Sequence, residues 1–219
     1  MHDALPFSRF VLPYMASNMY LRIEAEEALV VDPQPAAAAL AVLQRAAVKR
    51  VLVLLTHEHF DHTCGVNFLR LHLPSVCVMA HEKTARCVQV ARNNRPLSLL
   101  KMVTQENRAE ILAAYNSYLV EPIAVDWNLV DGQIVKWRDH TISVSAVPGH
   151  SPGSVLFAFD DSAIFTGDYL ILHTEVILRY PGGSETEYHE VTLPKLKAIP
   201  DGMLLLPGHG EPYCLVRHM

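Results

Sequence analysis

Apolar positions in this chain fall into short runs separated by stretches of helical spacing. Residues 10 to 32 read as two β-strands joined at Ala25-Glu26-Glu27. An Ala-rich stretch over 36 to 48 sets Leu40, Leu43 and Val48 at helical intervals, which predicts a helix with those three toward the core. The run Val51 to Leu55 is a strand, and Val66, Phe68, Leu69, Leu71 and Leu73 then mark a helix ending near Leu73. Val76 to Met79 is a short strand ending at His81, which with Glu82 reads as a capping or hydrogen-bonding pair. Residues 83 to 119 carry helical signals interrupted at Pro96, first Val88, Val90 and Ala91, then Met102 to Leu119. Asp131-Gly132, between Leu129 and Trp137, is a hairpin signal. From Thr141 the pattern is β with a turn at Asp160-Asp161, and 188 to 199 is helical. No internal repeat or low-complexity tract is present.

The candidate chemistry sits at the ends of the apolar runs. His57-Glu58-His59-Phe60-Asp61-His62 follows the 51 to 55 strand directly. In an extended loop, residues i and i+2 point the same way, so His57 and His59 can reach one ion. Asp61 and His62 fit that ion poorly, and a second ion is the simpler reading. Asp61 also stands near a helix start, where a carboxylate is favoured. His150 in Pro148-Gly149-His150-Ser151-Pro152-Gly153, Asp168 in Thr166-Gly167-Asp168 and His209 in Pro207-Gly208-His209-Gly210 each follow a β-like run. Loops at the carboxyl ends of strands are where α/β proteins place function. Imidazoles and carboxylates suit a borderline metal such as zinc with one position left open. Titratable groups packed this closely after a buried strand are too costly unless a metal compensates.

Composition narrows the setting. A length of 219 residues with half of them hydrophobic suits one domain spanning 1–219 with a sizeable core. A net charge of -5 without a basic block gives no reason to expect nucleic acid. No apolar run is long enough to span a membrane, and the N-terminus lacks a signal pattern. Cys64, Cys77, Cys87 and Cys214 form neither a zinc ribbon nor a disulfide framework, so a reducing cytoplasm is expected, and Cys64 reads as a small buried filler.

From Asn18 to Pro212 these motifs resemble the metallo-β-lactamase-fold hydrolase superfamily. The strand ending Val30-Val31-Asp32-Pro33, the HxHxDH stretch, the later His, the Gly-Asp and the final Gly-His carry the likeness. It implies an α/β fold, a four-layer αββα sandwich, with the site at one edge of two sheets. It implies His57, His59 and His150 on a first metal, Asp61, His62 and His209 on a second, and Asp168 bridging. The insertion at about 83–120 is longer than that fold requires, and the family often builds a lid or a dimer surface there; a plain packing excursion serves as well. Pro148 to Ser154, Pro181-Gly182-Gly183-Ser184 and Leu206 to Gly210 resemble the glyoxalase II-like branch. Gln34 stands where Gly is common, and Cys64 where a small residue is common. The helical domain that glyoxalase II uses for glutathione is not expected in so short a chain after His209.

The resemblance implies a dinuclear-metal hydrolase in which a metal-bridging hydroxide attacks a thioester or ester carbonyl. The cofactor expected is two divalent ions, Zn2+ first, with Fe or Mn as alternatives. Asp61 and Asp168 are the candidate catalytic carboxylates. Tyr169, Arg179, Tyr180 and Ser184 are candidate substrate contacts, and Tyr14 and Asn18 candidate residues of the mouth. His173 and His189 are expected to be structural. A small-molecule substrate is expected, with no nucleic acid, no membrane and a possible homodimer. The alternatives are an acyl-homoserine-lactone-type lactonase, a mononuclear iron persulfide dioxygenase using His57, His150 and Asp168, and a non-enzymatic binding protein.

Overall fold

The structure, a computed structural model, describes residues 6–13, 15–94, 108–109 and 121–217. Six strands pair in chain order in the first sheet: β1 (Ser8–Val11), β2 (Asn18–Glu24), β3 (Glu27–Val31), β4 (Arg50–Leu55), β5 (Val76–His81) and β6 (Trp127–Leu129). β1 to β3 run antiparallel and β3 to β6 parallel. Parallel neighbours need crossovers. These are α1 (Ala37–Arg45) between β3 and β4, then α2 (Phe60–Thr63) and α3 (Val66–His72) between β4 and β5. α4 (Glu82–Val88) and a 3-10 turn at Ala91–Asn94 follow β5.

The second sheet holds β7 (Ile134–Trp137), β8 (His140–Ala146), β9 (Val155–Phe159), β10 (Ala163–Gly167), β11 (Leu204–Pro207) and β12 (Tyr213–Cys214), again side by side in chain order. Only the β10–β11 pair is parallel. Its crossover is helical over α5 (Glu185–Glu187), a π turn (Tyr188–Thr192) and α6 (Leu193–Ala198).

Period-two alternation makes the layers. Leu29 and Val31 of β3 and Leu54 of β4 join Tyr20, Ile142, Phe157, Phe165 and Leu206 between the sheets. Ala28, Val30, Val51, Val53 and Leu55 face outward onto Leu43 of α1 and Leu69 of α3. Leu156, Ile164 and Leu205 of the second sheet meet Leu196 beside its own helix. Central strands buried on both faces read as unbroken apolar runs. The result is an αββα sandwich. Among the described residues no helix is long and apolar enough to cross a membrane.

Several expectations need correction. Asp131-Gly132 makes no hairpin. It carries the chain from β6 in one sheet to β7 in the other, and Asp131 is held there by Ala146 N at 2.7 Å and by Lys195 Nζ at 2.9 Å. The β7–β8 hairpin turns at Arg138-Asp139 instead, with Arg138 at φ 52°. The helix expected after the HxHxDH stretch begins inside it, as α2, and is divided from α3 at Cys64-Gly65. A Cβ on Gly65 would lie 2.4 Å from Gln34 N, so only glycine lets this segment rest on the loop after β3. β1 is an additional strand. Residues 95–107 and 110–120, most of the expected insertion, lie outside the described residues, as does Tyr14.

At the end of the sheets opposite Asp32, His140 pins them together. Its Nε2 lies 2.8 Å from Glu24 Oε1 on β2, and its Nδ1 faces Asp160 Oδ2. Arg22 and Arg138 share Glu24, and the Arg22 guanidinium lies over Phe7 and Phe159. Burial disfavours the His140 cation, but the bonds to Asp160 and Glu24 prevail and raise its pKa. Glu24 and Asp160 are correspondingly lowered. The histidine's contribution is therefore complete below about pH 6.5 and is lost as pH rises through its folded pKa. That of the carboxylates is lost as pH falls through theirs. His140→Gln should cost about 0.5–1 kcal/mol at pH 5.5 and less at pH 8.5, measured by urea unfolding at both pH values. An equal loss at both would show that the pairing carries no charge-dependent stability.

Candidate metal centre

All seven predicted ligands meet where the two sheets share an edge. Asp61 and His62 ride on α2, one turn of helix that follows His57 and His59 without a break. His150 follows β8, Asp168 follows β10 and His209 follows β11. An isolated bridge between Ser17 and His209, with Asn18 N bonded to Gly208 O at 2.6 Å, closes this edge between the sheets. Donor atoms of His57, His59, His150 and Asp168 lie within 4.8 Å of one another, and so do those of Asp61, His62 and His209.

Second partners decide which nitrogen faces inward. His150 Nδ1 lies 2.8 Å from Ile177 O, and His209 Nδ1 lies 3.1 Å from Ala16 O. A carbonyl only accepts, so both rings carry a proton on Nδ1 and turn Nε2 to the centre. Asp32 Oδ2 takes His62 Nδ1 at 2.9 Å and the Thr56 hydroxyl at 2.6 Å. With its proton given to Asp32, Thr56 Oγ1 accepts from His57 Nδ1 at 3.0 Å. One carboxylate thereby sets the tautomer of two ligands. Asp32 sits at φ 52° immediately after β3, a turn that L residues seldom adopt.

Asp168 faces both groups. Its Oδ2 is 3.2 Å from His150 Nε2, and its Oδ1 is 3.3 Å from His62 Nε2. Asp61 Oδ2 lies 3.4 Å from His62 Nε2 and 3.3 Å from His209 Nε2. Gly167, at φ 53°, leaves no space for a Cβ, which would meet Thr56 Oγ1 at 2.9 Å.

The electrostatics divide along the same line. Burial, with repulsion from His62 and His59, pushes His57 well below the ordinary imidazole range. Burial and His150 bring His59 down to about 4. At His62 and His209 burial also opposes the proton, but Asp61 and Asp168 outweigh it and raise both. The same pairing holds Asp61 low and Asp168 well below the carboxylate range despite burial. His57 and His59 are thus neutral imidazoles, whereas His62 and His209 sit against carboxylate charge.

A metal ion fits these residues. His57 Nε2 is buried without a hydrogen-bond partner, and the buried His62 Nε2 and Asp168 Oδ1 face each other at 3.3 Å as an ion pair outside hydrogen-bond geometry. Buried polar atoms are nearly always satisfied, so ones left without a hydrogen bond on converging ligand-type residues point to a cation. Imidazole and carboxylate donors suit zinc, iron or manganese.

The structure separates the candidate substrate residues. Tyr180 lines the cavity over the centre, with its ring 5.5 Å from that of His59. Tyr169 does not line it, which corrects the expectation. It is 1% exposed, and its hydroxyl accepts His150 N at 2.8 Å and donates to Val147 O at 2.7 Å, so it positions His150. Ser184 caps a helix by accepting Glu187 N at 3.1 Å, and Arg179 is exposed without lining the cavity. Asn18 is buried rather than at the mouth and holds the His209 loop through Pro207 O and Gly210 O. His173 and His189 are exposed and outside the cavity, His81 accepts Lys83 N at the start of α4, and Cys64 is buried.

Glu58 is a residue the motif concealed. Lying between two ligands, its Oε2 accepts from Ser151 Oγ at 3.0 Å and Thr84 Oγ1 at 3.1 Å, which ties the His150 loop to the His57–His59 loop and to α4. A Cβ on Gly153 would fall 2.1 Å from Thr84 Oγ1 and 2.6 Å from Glu58 Oε2. Glu58→Ala should weaken zinc binding about 10-fold, the usual scale for a residue supporting a ligand, whereas Glu58→Gln should stay near wild type. Competition with a chromophoric chelator reads this, and equal affinities for Glu58→Ala and wild type would reduce the network to packing.

The sequence matches the Metallo-beta-lactamase superfamily over residues 12–209. It is 26% identical over 190 residues to "Persulfide dioxygenase ETHE1, mitochondrial" of Bos taurus, covering 85% of this chain and 60% of that protein. To a "Hydroxyacylglutathione hydrolase" of Cereibacter sphaeroides (strain ATCC 17029 / ATH 2.4.9) it is 27% identical over 209 residues, covering 94% and 67%. The chain thus spans only about 60% of the length of some curated relatives. The solved structure of TTHA1623 in a di-iron-bound form superposes with a TM-score of 0.72 at 24% identity, covering 94% of each chain, a likeness of fold. Because the match begins at Leu12, beside β1, and runs to the last histidine of the cluster, this chain belongs to the metallo-beta-lactamase superfamily.

Proposed function

We propose that this protein is a hydrolase dependent on two divalent ions, zinc first and iron or manganese next, that cleaves a thioester or ester of a small molecule. The supporting observation is the placement of Asp168, whose two oxygens face two separate groups of ligands. In this reading His57, His59 and His150 hold one ion, Asp61, His62 and His209 the other, and Asp168 stands between them. Bound there, such ions lower the pKa of water toward ~7 and polarise a carbonyl.

The chain's own groups supply the rest. Asp61 and Asp168 stay ionised and bring two negative charges to the centre. His57, His62, His150 and His209 keep a proton on Nδ1 and aim Nε2 at the centre, so no ring has to turn before binding. His62 and His209, whose protonated form Asp61 and Asp168 favour, must first release a proton from Nε2. Tyr180 keeps its phenolic proton, because burial and the charges of Asp168 and Asp61 raise its pKa, and so presents a donor to the cavity. The hydroxyacylglutathione hydrolase relative favours thioester chemistry.

A second reading, an iron persulfide dioxygenase, draws on the ETHE1 relative and on His57, His150 and Asp168 gathered in one group. That set is two histidines and a carboxylate, a known pattern for non-haem iron. The companion group of Asp61, His62 and His209 favours the hydrolase.

Protein purified without added metal should carry about two ions per chain by mass spectrometry and hydrolyse acyl thioesters in preference to lactones. His59→Ala and Asp168→Ala should each lose metal and lower kcat/KM at least about 100-fold while keeping the wild-type circular dichroism. Full activity in both variants would refute the proposal. One iron per chain, with oxygen uptake on a persulfide and no hydrolysis, would establish the second reading.

A further inference from the structure

The ligands form only the floor of the cavity, whose volume is about 280 Å³. Beyond them its described walls are Met15, Ile171, Thr174, Glu175, Ile177 and Tyr180. Three of these are apolar, two are neutral hydrogen-bonding groups, and the single charge is a carboxylate. Among the described residues no lysine or arginine lines the cavity. Arg9, at the neighbouring edge, is engaged by Gly210 O at 2.7 Å and by Glu211.

The wall is anchored to the centre. Leu170 and His173 adopt φ 53° and 59°, Thr174 N bonds to Ile171 O at 3.1 Å, and Tyr213 donates to Leu170 O at 2.8 Å. Ile177 O is the acceptor for His150 Nδ1. The residue whose side chain lines the wall thus also fixes a ligand's tautomer through its backbone.

We infer that the cavity takes a thioester or ester of a short apolar acid whose leaving half is uncharged or cationic, and that Glu175 discriminates against a leaving half carrying a carboxylate. This rests on the hydrolase reading above. The acyl group lies against Met15, Ile171 and Ile177, where it leaves water without requiring a polar partner. The leaving half exits past Thr174 and Glu175, both exposed at the rim. A negative charge there meets the Glu175 carboxylate, while Arg179, the exposed cation of the same loop, does not line the cavity; an ammonium is attracted.

Three thioesters of one acid isolate the charge: butyrylthiocholine, S-butanoyl-N-acetylcysteamine and S-butanoyl-3-mercaptopropionate. With metal-loaded protein, kcat/KM for the anionic ester should be about tenfold below the neutral one, and the cationic ester should equal or exceed the neutral one. Glu175→Lys should shrink or invert that ratio. An anionic ester hydrolysed as well as the neutral one, or a ratio unmoved by Glu175→Lys, would overturn the inference. If none is hydrolysed, the hydrolase reading fails separately. The matching S-butyl thioethers, titrated calorimetrically into the same protein, still decide the charge preference. Tightest binding by the carboxylate thioether would overturn it, and weakest binding by it would support it.

Discussion

His57 Nε2 is buried without a hydrogen-bond partner, and such an atom costs about 1–3 kcal/mol unless something binds it. With the carboxylates of Asp61 and Asp168 and the imidazole of His62 crowded at the same edge, this is a large load beside the roughly 5–15 kcal/mol by which a domain is stable. The surrounding architecture can be understood as what bears that load. Two sheets with apolar faces on both sides supply the burial, and the described helical crossovers leave the strand ends free to carry polar groups. Once the ligands converge their mutual repulsion must be contained, and proton placement does this: imidazoles stay neutral where they crowd one another and meet carboxylates where they do not.

Rigidity comes from atoms around the ligands. Asp32 alone fixes Thr56 and His62, and through Thr56 also His57. Tyr169 holds the backbone of His150, Asn18 and Tyr20 hold the Pro207 carbonyl before His209, and Glu58 joins the loops of both sheets. Such positioning matters because an imidazole free to rotate would lose entropy on binding an ion and would present either nitrogen. Several supports are backbone carbonyls, which keep their place whatever side chain the residue carries.

That difference explains what could be read from the sequence. The ligands were legible because histidines and aspartates after apolar runs are chemically conspicuous, and the central strands because burial on both faces leaves unbroken apolar runs. Asp131-Gly132 misled because the same turn chemistry serves a crossing between sheets as well as a hairpin; only the partner strand distinguishes them. Tyr169 is next to Asp168 in sequence, but the chain turns after Gly167 and carries the ring into the core. Glu58 is not legible in the sequence because its meaning depends on Thr84 and Ser151, remote from it along the chain. Ile177 could not be found from its side chain, since what it gives His150 is a carbonyl.

The inner and outer parts of the cavity consequently answer to different constraints. The inner part is fixed by metal chemistry: almost any exchange there strips a ligand or a support and leaves a buried charge unpaired. The outer part is the loop from Leu170 to Tyr180, where Thr174 and Glu175 are exposed. Exchanges at those two positions alter charge and shape without touching the core, so a fold of this kind can change its substrate while keeping its reaction. Ile177 marks the boundary. Its side chain is free to vary with the substrate, but its carbonyl must stay within reach of His150, and a replacement that shifts the backbone there would be felt at the metal before it was felt in specificity.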